Sequence, residues 1–374
     1  MAEALYIHIP YCLRKCAYCD FYSVPFDEHA ADDYTKSLIR EMTMRKEHAQ
    51  NLKTVYIGGG TPTLLADNDI AELMRGVRDT FSLCAAAEIT MEANPGTLSE
   101  KKAEAMLSAG INRISMGLQS LSDAELRILG RIHSAAEALK AFESARRSGF
   151  ENISVDLIYG IPSQDMASWE ATLLGAVELS PEHISAYELT LDEGTPLWEN
   201  ISKGFMTMPE DETITAMYYR GIDFLAEQGY EQYEISNYAR PGRESRHNMN
   251  YWRRGQYLGL GAGAHSFVGS RRMGNVRDAQ RYVELLTKGM SPVTEEPTIS
   301  PADVIREILF LGLRTIEGVA LHDLPEGERV IKSRTVEELV LHGLLEIDKG
   351  RLRLSRKGLV LSNEIFLRLF DAVS

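Results

Sequence analysis

The chain has 374 residues, 44% apolar and 25% charged, enough apolar material for one large domain and a smaller partner. Its 54 carboxylates against 40 Lys and Arg give a formal net charge of −14, which argues against nucleic acid as a main partner, since that needs clustered positive charge. No uncharged apolar run approaches the roughly 18–20 residues of a membrane span, and the opening LYIHIP is too short and polar for a signal core, so a cytoplasmic, reducing location is expected.

LYIHIP (5–10) is the first predicted strand, and it runs straight into YCLRKCAYCDF. There three of the four cysteines, Cys12, Cys16 and Cys19, stand at the spacing C-x3-C-x2-C. A helical pattern over 32–49 leads to a second strand, TVYIGGG (54–60), which opens into Gly58-Gly59-Gly60-Thr61-Pro62. Helical patterns over 67–81, 99–110 and 134–149 precede EITMEANP (88–95), NRISMGLQS (112–120) and NISVDLIYG (152–160), and EHISAYELT (182–190) is the sixth strand. Gly110 and Gly149 stand just past two helices, where a C-terminus favours glycine. Strand–helix units repeating at roughly 30 residues predict a parallel sheet. Without a dinucleotide fingerprint among them, six units predict an α/β fold, a partial (β/α)6 TIM-like barrel. In such barrels the working residues gather at the C-terminal strand ends. The cysteine loop, GGGTP, Glu92 in EANPG, Gln119 and Asp156 all fall at or near those ends.

Past residue 290, SPVTEEPTISP reads as a proline-bearing linker. A helix over about 301–314, then TVEELVLHGLLEID, a turn at Lys349-Gly350, RLRLS and a closing helix KGLVLSNEIFLRLF, predict a winged-helix-like accessory domain. The expected division is 1–240 for the barrel, 241–296 for a motif-bearing segment and linker, and 297–374 for the accessory domain. Arg351, Arg353, Arg356 and Lys357 add local positive charge there, but so acidic a chain favours a packing or lid role over DNA binding.

Three thiols on one loop, with no second C-x2-C knuckle and Cys84 remote, are an incomplete zinc set unless Asp20 or His8 completes it. A disulfide would strand one thiol and is disfavoured in a reducing compartment. A cubane iron–sulfur cluster suits the odd count, because three cysteines cap three irons and leave the fourth open.

C-x3-C-x2-C directly after the first strand of a partial barrel resembles the signature loop of radical S-adenosylmethionine (SAM) enzymes. The resemblance implies a [4Fe-4S] cluster on Cys12, Cys16 and Cys19, whose open iron takes the amino and carboxylate groups of SAM. Glycines at 58–60 offer bare backbone to the methionine portion. Glu92, Gln119, Arg131 and Asp156 are the polar residues expected around SAM, with a carboxylate for ribose hydroxyls or the ammonium and Arg131 for the carboxylate. Each of them equally suits a satisfied structural role.

In order, YIHIPYC, GGGTPTLL, MEANPG, RISMGLQS, LGRIH and SVDLIYGIP are similar to the coproporphyrinogen-dehydrogenase-like branch, over nearly the whole chain. That branch can hold two SAM molecules. Carried over, Tyr6, Gly59 and Glu92 hold the first, while Tyr18, Gly60, Thr61, Gln119, Arg131 and Asp156 lie near the second. Two departures separate the chain from the oxygen-independent coproporphyrinogen III oxidase of that branch. Phe21 stands where the oxidase has a further cysteine, and the first strand begins at Leu5 without the oxidase's N-terminal extension.

Both features resemble the HemW-type heme chaperones, and so does His247-Asn248-Met249-Asn250-Tyr251-Trp252, followed by YLGLGAGAHS (257–266). The resemblance implies heme held through His247, an imidazole being a common axial ligand, with Tyr251 and Trp252 packing on the macrocycle. His265 is a second candidate, for heme or for the wall of the SAM site, and Met249 could add a sulfur ligand. His8 and His133 are expected in structural hydrogen bonds. The expected function is a heme chaperone that passes heme to apo-proteins such as respiratory cytochromes, with transient membrane-protein contact and a homodimer as further expectations. Oxidative decarboxylation of coproporphyrinogen III is the alternative.

Overall fold

The structure is a computed structural model describing residues 1–295 and 299–372, so the middle of the expected linker, 296–298, lies outside the described residues. Six strands form the barrel wall: β1 (Ala2–Ile9), β2 (Ala49–Gly59), β3 (Leu83–Ala93), β4 (Arg113–Gln119), β5 (Ile153–Tyr159) and β6 (His183–Glu188). They lie side by side in chain order and all pair in parallel. Parallel neighbours need a crossover, and helices supply it. Those helices are α1 (Glu28–Met44), α2 (Asp67–Thr80), α3 (Glu100–Ser108), α4 (Ala135–Arg147) and α5 (Met166–Glu178), with α6 (Asp211–Glu227) after β6.

Local chemistry fixes where the helices begin. Asp27, Ser99, Ser134 and Asp165 each accept a backbone N–H of the first turn, and Ser134 with Glu137 forms a reciprocal capping box. Leu5, Ile7 and Ile9 on alternate positions of β1 are fully buried in one core with Tyr34, Leu38 and Met42 of α1.

Beyond β6 the sheet continues antiparallel through β8 (Asn237–Ala239) to β7 (Glu231–Gln232). On the other side stands a strand absent from the sequence-based expectation. β9 (Tyr257–Leu260) pairs in parallel with β1, Tyr6 opposite Gly259, so the parallel set has seven strands. β10 (His265–Val268), β11 (Arg271–Asn275) and β12 (Val293–Glu295) then add antiparallel strands. Residues 241–295 thus supply four of the sheet's twelve strands beside β1, together with helices α7 (Arg246–Trp252) and α8 (Ala279–Thr287).

The C-terminal part has the expected order of helix, hairpin and helix. α9 (Pro301–Gly312) starts with proline at its first turn and a Ser300–Asp303 capping box. β14 (Leu345–Asp348) and β15 (Arg351–Leu354) form the hairpin, joined by β13 (Val319–Ala320) as third strand. Lys349 and Gly350 both have positive φ, 47° and 75°, the two-residue turn that suits a twisted hairpin. The closing helix is two, Arg356–Val360 and Ser362–Ala372, broken at Leu361.

Candidate cluster and cofactor site

The cysteine loop leaves β1 at Pro10 and is closed at its neck by backbone. Val24 N–H donates to Pro10 O at 2.7 Å and Phe26 N–H to Cys12 O at 3.0 Å. Two further bonds pin it to neighbouring loops: Ala17 N–H to Leu129 O at 3.0 Å and Leu197 N–H to Ala17 O at 2.9 Å. The three thiols are thus presented on a fixed loop above the sheet, and all three line one cavity of about 560 Å³.

The glycine run lies against this loop. Gly60 N–H bonds Ile9 O at 2.7 Å and Thr61 N–H bonds Tyr11 O at 2.7 Å, so β2 and the loop are sewn together. A side chain on Gly59, whose φ is +112°, would overlap the His8 ring, and a Cβ on Gly60 would stand 2.6 Å from Tyr11 O. The glycines are required here by protein packing, before any ligand approaches. Thr61 Oγ1 donates to Cys12 Sγ at 3.7 Å, while Arg131 Nη1 donates to Cys16 Sγ at 3.4 Å and its Nη2 to Gly117 O at 2.9 Å. Burial pushes the Cys12 and Cys19 thiols up from their ordinary range.

Below the loop the barrel interior supplies the rest. Glu92, on β3, accepts from Tyr56 Oη at 2.8 Å and from Gly59 N–H at 2.9 Å, and burial pushes its carboxyl up to about 7. Asp156, on β5, accepts from Ser115 at 3.1 Å and Ser185 at 2.8 Å; burial raises it, and these hydroxyls with the nearby Arg113 charge partly offset that. Gln119 ends β4 with φ +68°, a left-handed conformation rare for a residue with a side chain, at a bulge in the β4–β5 ladder. Tyr18, Gly59, Gly60, Thr61, Glu92, Gln119, Arg131 and Asp156 therefore share the cysteines' cavity.

Tyr6 and His247 do not line it. The Tyr6 hydroxyl meets His8 Nδ1 at 2.9 Å, and Tyr6 faces a second cavity of about 340 Å³ beside β9. His247, on α7, is 1% exposed. Its Nδ1 meets Thr54 Oγ1 at 2.9 Å, its Nε2 meets the Tyr251 hydroxyl at 2.9 Å, and its ring stacks on Tyr56 at 5.2 Å. Burial first, then the Arg113 charge, lowers its pKa to about 3, so the imidazole is neutral. His8 and His133 hold structural bonds, His8 Nε2 to Tyr22 O at 3.2 Å and His133 Nδ1 to Asn94 Oδ1 at 3.2 Å.

Sequence reasoning missed part of the wall. Arg113, 2% exposed with its Nε unpartnered, lines the cavity with Ser115, Ser154, His183 and Ser185. The signal was present: polar residues stand at 113, 115 and 119 with Gly117 between them, at 154 and 156, and at 183 and 185, which puts them on one face of adjacent strands.

Residues 6–174 match the model of the radical SAM superfamily and residues 299–361 that of the HemN C-terminal domain. Along 97% of its length the chain is 36% identical to the heme chaperone HemW of Bacillus subtilis, covering 98% of that protein. It is 42% identical to the heme chaperone HemW of Escherichia coli over 268 residues, 71% of this chain and 70% of that one. The cattle mitochondrial radical S-adenosyl methionine domain-containing protein 1 is 36% identical, over 98% of this chain and 87% of that protein. The chain belongs to the HemW family. The solved structure of the Escherichia coli coproporphyrinogen III oxidase HemN superposes with a TM-score of 0.85 at 24% identity, covering 98% of this chain and 90% of that one, so the two share the fold.

As a radical SAM family, HemW proteins imply a [4Fe-4S] cluster and SAM, and the donor set here fits both. Among the described residues no three His, Cys, Asp or Glu side chains gather about one point as a single ion requires. The thiols instead line the wall of one cavity of about 560 Å³, with a hydroxyl on Cys12 and a guanidinium on Cys16 to support thiolate charge. Arg131 keeps a buried Nε without a partner, and Arg113 does too. Two unsatisfied buried guanidinium donors in one cavity suit an anionic group such as a carboxylate. Among the described residues no helix is long and apolar enough to cross a membrane.

Proposed function

We propose that this chain is a heme chaperone: it binds heme, carries a SAM-ligated [4Fe-4S] cluster on Cys12, Cys16 and Cys19, and passes heme to acceptor proteins. The full-length match to the Bacillus subtilis heme chaperone carries this reading. The local chemistry agrees with it, because Phe21, 65% exposed, stands where the related oxidase has a further cysteine.

When bound, the cluster supplies an iron with an open coordination position and a low-potential electron. The protein's part is positioning. Gly59 and Glu92 hold a first SAM, with Glu92 keeping acceptor lone pairs for ribose hydroxyls beside its bonds to Tyr56 and Gly59, while Tyr6, outside their cavity, backs the site through Tyr56. Tyr18, Gly60, Thr61, Gln119, Arg131 and Asp156 hold a second, with the Arg131 fork on its carboxylate. The segment His247–Trp252 belongs to the heme site. A cytoplasmic location, acceptors among respiratory cytochromes, transient contact with membrane proteins and a homodimer complete the reading.

The test is anaerobic. The reconstituted chain, loaded with hemin, is mixed with an apo b-type cytochrome, and transfer is followed by the acceptor's Soret spectrum. Transfer faster than from free hemin is expected. In parallel, SAM, a low-potential reductant and coproporphyrinogen III are supplied, and no protoporphyrinogen should form. Catalytic turnover to protoporphyrinogen would sink the chaperone reading.

A further inference from the structure

The heme reading leaves a physical difficulty at His247. Both of its ring nitrogens are engaged, and it lies beneath Tyr56 at 1% exposure. Ligating iron directly would mean breaking one of those bonds and opening a closed core. Its partner Tyr251 points the way outward. Tyr251 meets Tyr257 edge to face, ring centroids 4.7 Å apart at 87°, and both line the cavity of about 340 Å³ beside β9.

That cavity is rich in rings. Tyr6, Tyr22, Tyr251 and Tyr257 line it, with Phe21 from the cysteine loop and His265 from the start of β10. His265 is exposed where His247 is not. The placement of His265 is built into the glycines of YLGLGAGAHS. Any side chain at Gly259 would overlap the His265 carbonyl oxygen, so the close turn from β9 to β10 exists only because that position is glycine. Arg277 also lines the cavity and lies over the Tyr22 ring at 5.9 Å, a cation for a carboxylate; Asp20 is there as well. Tyr6 and His8, bonded to each other, stand between this cavity and Gly59, and Asp20 and Phe21 line both it and the cysteines' cavity.

Aromatic faces, an exposed imidazole and a guanidinium are what a porphyrin with propionates would use. The volume falls at the low end of the roughly 300–1,000 Å³ typical of small-molecule pockets, so a macrocycle seated here keeps an edge in solvent. That suits a cargo that must be released.

Building on the heme-chaperone reading, we propose that His265 is the axial ligand of the bound heme, in the cavity formed by Tyr251, Tyr257 and Phe21 with Arg277 on a propionate, and that His247 is a positioning residue that holds Tyr251.

The test is hemin titration of the full-length chain, read by the Soret band and by electron paramagnetic resonance of the ferric complex. His265→Ala should lose the histidine-ligated spectrum, and added imidazole should restore it. His265→Met should convert it to a thioether-ligated spectrum. His247→Gln should keep histidine ligation while weakening binding by roughly tenfold, the lower end for a residue behind the ligand. Far-UV circular dichroism checks that each variant is folded. If His265→Ala keeps the wild-type spectrum while His247→Gln loses it, the assignment is overturned and the heme reading stands. If the wild-type chain takes up no hemin, both fall together.

Discussion

Glu92 holds its proton unusually firmly for a carboxyl, to about pH 7 against an ordinary 4.5, because the barrel interior buries it. Between those values the folded chain binds a proton that the unfolded chain has released, so stability falls as pH rises through the window. Glu92→Gln removes that slope. The variant should gain on the wild type between about pH 5 and pH 8 by on the order of 2–3 kcal/mol, read from urea midpoints of the apo chain. A gap that stays constant across that range would show the carboxyl is not buried as described. His247 acts with the opposite sign. Its pKa is lowered from 6.5 to about 3, so it stays neutral when folded, and the stability it permits is present above about pH 6.5 and lost as pH falls toward 3. His247→Gln should give a shallower acid-unfolding limb; His183, also buried and lowered, keeps the remainder. The three-thiol loop was legible because its spacing is local, and the fold brings all three thiols to one cavity. Arg113 was not recognised, although its alternation with Ser115, Gly117 and Gln119 was there to be counted.

Strand β9 shows how an element escapes sequence reasoning. Its four residues, Tyr257–Leu260, carry a glycine and run into Gly261 and Gly263, a composition that reads as loop. It becomes a strand because β1 offers an unpaired edge, and the glycine lets β10 fold back upon it. Gly259→Ala should therefore destabilise by about 2–4 kcal/mol in urea unfolding, since the clash is with backbone that must move. An alanine tolerated within a few tenths of a kcal/mol would contradict the described turn. Four of the barrel's helices, by contrast, were plain from their periodicity, although α1 runs over Glu28–Met44 and not over 32–49. Ser134→Ala breaks the capping box of α4 and should cost about 1 kcal/mol by the same measurement.

At the scale of the molecule, one buried polar network ties the first helix to the end of the sheet. Glu41 of α1 accepts from Gly261 N–H at 2.9 Å, Asn275 at 2.8 Å and Tyr282 Oη at 2.6 Å. Arg45, a turn later, donates to Gly259 O at 3.0 Å and to Ser266 Oγ at 3.1 Å, and pairs with Glu41 at 3.3 Å. The network thus clamps β9, β10, β11 and α8 against the barrel, around the strand that carries His265. Glu41→Ala leaves the Arg45 charge buried without its partner and should cost about 3–5 kcal/mol, with loss of hemin binding. A small effect on both would mean that water or another group reaches Arg45.

What the sequence by itself determined is whatever repeats or clusters within a few dozen residues: six strand–helix units, the glycines closing two helices, the three-thiol loop and the C-terminal hairpin turn. Periodicity and cap chemistry act between near neighbours, so they can be read without knowing the fold. The tertiary structure alone decided the seventh parallel strand, the burial of His247 against the exposure of His265, the unpartnered Nε of Arg113, and the clamp between Glu41 and residues more than 200 positions away. Each of those depends on which surfaces meet after the sheet has formed. A side chain's burial and hydrogen-bond partners are properties of that meeting, and a local run of residues carries no record of it.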